Sequence, residues 1–185
     1  QDCRLCGSRE LVRIMRLVNE IGDPFEQWHC AMSQAAAALF HGRLAESERL
    51  SREAYVAAHR APGQQRSEHN AGQCFLLQTI LVRREQGRLD ELSDDAWVIV
   101  DEYAQVIGWR VLSALVDLDL GRTRAAAARV DHIGVRSLSM IPRDSIWVGT
   151  MFLLAELFAR LHDRARCQQV FDLLAPYAEI NATIA

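Results

Sequence analysis

Five cysteines, six histidines and several paired carboxylates are the residues whose types could do chemistry in this chain. Cys3-Arg-Leu-Cys6-Gly7 has the spacing of half a zinc knuckle, but a tetrahedral site needs two more ligands and no second such pair exists. His29 with Cys30, or His41, would have to complete it, and the pattern predicts no metal site. A cysteine nucleophile needs a histidine base and an orienting carboxylate converging on it. His29 beside Cys30 points to a different helix face, and Cys74 and Cys167 fall on apolar stripes. The carboxylate pairs Glu46/Glu48, Asp94/Asp95 and Asp101/Glu102 diverge around their helices instead of sharing a site, so they read as solvated faces. No enzyme and no cofactor is expected from these residues.

Charge excludes further classes. The net charge is −3, and all 21 basic residues are arginine, so phosphate neutralisation has no basic excess behind it. Without lysine there is neither a phosphate-loop lysine nor a Schiff-base lysine. Arg83 and Arg84 read as charges favoured by the dipole at a helix C-terminus. Asn181-Ala-Thr183 matches a glycosylation acceptor, which in a chain with no secretory signal is a chance match. The odd number of cysteines points to reduced thiols. No apolar run approaches the roughly 20 residues of a membrane span, so a cytoplasmic chain is expected. Gln1 at the start and an uncapped apolar end suggest a segment of a longer polypeptide.

The tryptophans are the best candidates for a binding role. Trp28, Trp109 and Trp147 each lie in the first turns of the first helix of a helix pair. Two roles fit them: core anchors between hairpins, or the walls of a partner-binding groove completed by Gln73, Gln78 and Arg110. The alanine-rich pair around Ala35 to Ala38 suggests an alternative, a pocket for small-molecule sensing.

The elements that would position these residues are helices throughout. Apolar residues at Leu11, Ile14, Met15 and Val18 predict a leading helix over about 8–20, capped at Ser8. Gly22-Asp23-Pro24 ends it and starts the next. Hairpins are predicted over about 24–60, 69–103, 108–133 and 143–176, with Ala61 to Glu68 as the clearest loop. The second hairpin pairs a helix ending near Gln86 with one over about 88–103. The breaks at Gly42, Gly87, Gly121 and His162 stand about 45, 34 and 41 residues apart, around the roughly 34-residue period of tetratricopeptide repeats. One domain of stacked hairpins follows.

The run Asn70 to Leu92, with Gly108-Trp-Arg110, Ile141 to Trp147 and Phe171 to Tyr177, resembles the C-terminal tetratricopeptide-like region of actinobacterial multidomain signalling proteins. In that family a STAND-type ATPase switch domain is combined with a LuxR-type helix-turn-helix or a class III cyclase domain. The resemblance spans about 21–185, departs from the pattern where His162 replaces a glycine, and includes no phosphate-loop, helix-turn-helix or cyclase motif. It implies an all-α, right-handed superhelix of antiparallel hairpins acting as a non-catalytic regulatory scaffold. Its partner would be a protein or another domain of the same polypeptide, with dimerisation through exposed terminal repeats as a further expectation.

Overall fold

A computed structural model describes residues 3–60, 65–92, 100, 102–103, 106–131 and 138–179, with side chains described outside 3–11, 60 and 65–69. Among these residues every regular element is a helix. The α-helices are α1 (Cys3–Ile21), α2 (Pro24–Phe40), α3 (Leu44–Arg60), α4 (Gln65–Glu85), α5 (Ile107–Asp119), α6 (Thr123–Asp131), α7 (Trp147–Arg160) and α8 (Arg164–Leu174). Short 3-10 turns occupy Leu89–Glu91, Leu138–Met140 and Ala175–Tyr177. The chain divides between Arg88 and Leu89 into two compact units.

In the first unit the Asp23 carboxylate accepts the amides of Phe25 and Glu26 at 2.9 and 3.0 Å, while Pro24 takes the first helical position. Together they start α2 as the sequence predicts. Its buried surface, Trp28, Cys30, Met32, Ala35, Ala36 and Ala38, is wider than one stripe because α2 packs against α1, α3 and α4. On α3 the packing row is Ser47, Ser51, Ala54 and Ala58, while Ala57 is exposed. Small side chains bring α3 close to α2, and the Ser47 hydroxyl donates to the Ala35 carbonyl at 2.8 Å.

In the second unit, residues 111–117 of α5 are all buried. A helix enclosed on every side must be apolar nearly all round, and α5 is enclosed because α6 and α7 both pack on it. Its one buried acid is Asp117, which pairs with Arg129 on α6 at 2.7 Å and with Arg122 at 3.6 Å.

One backbone device ends four of the helices. At Gly42, Gly87 and Gly121 φ is 72°, 66° and 74°, and at His162 it is 58°. In each case this residue's amide bonds the carbonyl three residues back. The next amide, from Arg43, Arg88, Arg122 or Asp163, bonds the carbonyl five back at 2.9, 2.8, 2.7 and 2.9 Å. This is the Schellman motif, which satisfies the last carbonyls of a helix and requires a left-handed residue at its hinge. His162 adopts the glycine geometry despite its Cβ.

Several boundaries differ from those read in the sequence. The leading helix begins at Cys3, so Ser8 lies inside it instead of capping it. Helix α4 begins at Gln65, so half of the expected loop is helical: Gln65, Arg66 and Glu68 are good helix formers lying beyond the Pro62-Gly63 turn signal. Directly after Gly87 the chain forms a single 3-10 turn, with Leu89 buried and the Leu92 amide on the Leu89 carbonyl at 3.2 Å; the rest of the expected partner helix lies mostly outside the described residues. Helix α7 starts at Trp147 rather than near Arg143, because the Asp144 carboxylate takes the Ile146 amide at 3.1 Å in a local turn.

Candidate functional site

Trp28, Trp109 and Trp147 are anchors in the packing. Trp28 is 4% exposed and packs with Met32, Ala54, Ala58 and Ala71. Trp109 is buried and stacked on Tyr103 with ring centres 5.9 Å apart. Trp147 is 3% exposed, with the Tyr177 ring at 5.4 Å and the Arg143 guanidinium 4.8 Å above it. Arg143 also donates to the Tyr177 hydroxyl at 3.1 Å. The burial of these indoles sets them in the packing between helices, because each helix turns its largest apolar side chain toward its neighbours.

The expected polar companions divide. Gln78 is fully buried, and its amide nitrogen donates to the Met32 carbonyl at 3.0 Å, tying α4 to α2. Its other amide atom, Oε1, is buried without a partner in the described structure, as are Trp28 Nε1 and Ser51 Oγ. Gln73 and Arg110 are half-buried on α4 and α5. Trp28, Gln73 and Gln78 belong to the first unit, and Trp109, Arg110 and Trp147 to the second.

Other surface groups escaped the sequence reading. Phe152 on α7 is 60% exposed and Phe171 on α8 is 67% exposed. Phe152 is flanked by the buried residues Met151 and Leu153, which hides it in an apolar run where periodicity alone does not single it out. Arg83 does more than stand at a helix end: its guanidinium reaches Glu48 on α3 at 3.1 Å. Arg52 joins that carboxylate at 3.4 Å and Arg88 at 3.9 Å.

The candidate reactive groups are dispersed. His29 is exposed while Cys30 is buried. Burial, and then the Glu26 charge, push the Cys30 thiol pKa up; burial does the same to Cys74. Neither is poised as a thiolate. Among the described residues no three His, Cys, Asp or Glu side chains gather as a metal site. The side chains of Cys3 and Cys6, and Asp94, Asp95, Asp101, Asn181 and Thr183, lie outside the described residues.

A pocket of about 250 Å³ opens in the second unit where the N-terminal ends of α5 and α7 approach each other. Ile107, Ile141, Pro142 and Ile146 give it apolar walls, and Trp147, Asp144 and Thr150 also line it. At this crossing a Cβ on Gly108 would lie 3.1 Å from Thr150 Oγ1, so the absent side chain lets the two helices close.

Among the described residues these features define an all-α protein. No protein-family model, curated protein or solved structure matches the chain. No helix among the described residues is long and apolar enough to cross a membrane.

Proposed function

We propose that this chain is a non-catalytic, tetratricopeptide-like interaction module, a regulatory scaffold of a cytoplasmic LuxR-type transcriptional regulator or cyclase-type signalling protein. The observation that carries this reading is the recurrence of one helix-ending geometry at Gly42, Gly87, Gly121 and His162. Repeated hairpins of that kind stack their faces, and the stacked first helices form an extended surface for a partner protein or another domain. The pairing of α2 with α4 and of α5 with α7 fits such stacking within each unit.

With Trp28, Trp109 and Trp147 buried, the partner's anchor passes to exposed apolar side chains, foremost Phe152 on the first helix of the last pair. The test is cross-linking and mass spectrometry on the tagged full-length polypeptide in its native host. Phe152→Glu is expected to remove a specific cross-linked protein or domain while leaving the circular dichroism melt unchanged. An identical set of cross-links would refute the assignment.

Self-association is a second proposal, favoured by the exposed residues Ile14, Leu17 and Ile21, which follow helical spacing on α1. Light scattering at two concentrations is expected to give a rising mass that Leu17→Glu abolishes; a constant monomer mass would exclude it.

A further inference from the structure

The pocket at the α5–α7 crossing is built for more than packing. Both helices that open onto it lack a side-chain cap: Val106 and Ile146, their N-cap residues, make no side-chain hydrogen bond to the first turn. By contrast, α2 and α8 are capped by Asp23 and Asp163. Thr150, only 4% exposed, lines the pocket, and its hydroxyl forms no hydrogen bond among the described residues. A helical threonine ordinarily turns that hydroxyl back onto the carbonyl one turn earlier. Because Thr150 lines the pocket and its Oγ1 is not among the fully buried unpartnered atoms, this hydroxyl is reached from the pocket and can donate to an acceptor that enters it.

We propose that this pocket binds a small uncharged molecule, an apolar ring or branched aliphatic carrying one hydrogen-bond acceptor such as a ketone or ester carbonyl. The apolar walls take the hydrocarbon, and the Thr150 hydroxyl donates to the acceptor. The Asp144 carboxylate among the lining residues and the two positive helix ends offset each other, so the site favours neither an anion nor a cation. At about 250 Å³ the space is smaller than that of drug-sized sites, so the ligand is of fragment size. The assignment stands apart from the protein-binding reading and survives its failure.

The test is an amide NMR titration of the chain with cyclohexanone, with methylenecyclohexane as the isosteric hydrocarbon and cyclohexanecarboxylate as the anion. Saturable shifts of Gly108, Trp147 and Thr150 are expected with cyclohexanone and none with the carboxylate. Thr150→Val is expected to weaken cyclohexanone about five- to tenfold and leave the hydrocarbon unchanged, the size of one lost hydrogen bond. Ile146→Trp, at a position 42% exposed and therefore tolerant of size, is expected to block both uncharged probes. This variant decides the question if Thr150→Val unfolds. Shifts that do not saturate, equal binding of the carboxylate, or cyclohexanone binding indifferent to Ile146→Trp would overturn the proposal.

Discussion

Replacing His162 by glycine should stabilise the second unit. His162 holds φ at 58° in the hinge position that glycine occupies at the three other breaks. A left-handed conformation costs a residue with a Cβ about 1–2 kcal/mol. Glycine removes that strain but adds freedom to the unfolded chain, worth about 0.4–1 kcal/mol. The difference leaves a net gain of roughly 0.5–1 kcal/mol, because the exposed ring gives up little packing. With a urea slope of about 2 kcal/mol/M, the midpoint rises by ~0.3–0.5 M at unchanged slope. The reciprocal change supplies the control. Gly121 has φ 74°, and a Cβ there would meet nothing within 4 Å, so Gly121→Ala tests backbone strain without steric clash. It should lose about 1 kcal/mol. Both melts are followed by helical circular dichroism. A neutral or destabilising His162→Gly alongside a costly Gly121→Ala would refute the strain argument and show that the imidazole contributes to the native state.

Asp117→Asn should lower stability by about 1–2 kcal/mol, since it weakens a charge-assisted bond from a buried acid whose arginine partners retain partial access to water. A double-mutant cycle with Arg129→Ala measures the coupling, and additivity would remove Asp117 as the brace between α5 and α6. The buried Cys30 and half-buried Cys74 thiols give the first unit a pH dependence. Because Cys30 and Cys74 have raised values when folded, the unfolded chain ionises first, and stability is expected to fall as pH rises past about 8.5. Urea melts of wild type against Cys30→Ala/Cys74→Ala across pH 7.5–9.5 check this; parallel curves would show that the thiols are not its source.

The sequence by itself determined the helical class and the places where helices stop. Those are local properties: a Gly-Asp-Pro cap, a glycine hinge and three-and-four apolar spacing act within a few residues of chain, so Asp23, Gly42, Gly87 and Gly121 were legible without neighbours. Even His162 was recognisable by register. Helix starts were less legible, because Gln65 to Glu68 carry ordinary helix formers beside a turn signal, and Asp144 delays α7 through a bond to Ile146 that spacing does not announce. What only the tertiary structure decided is which face each helix turns inward. A tryptophan near a helix start suits a groove or a core equally well, and packing against Met32, Ala54 and Ala58 made Trp28 a core residue. The same holds for Arg83, whose helix-end charge became a tie to Glu48 once α3 lay beside α4. The Thr150 pocket is likewise nonlocal: residues 106–108 and 141–150 are far apart in the chain, and only the crossing of α5 and α7 joins them.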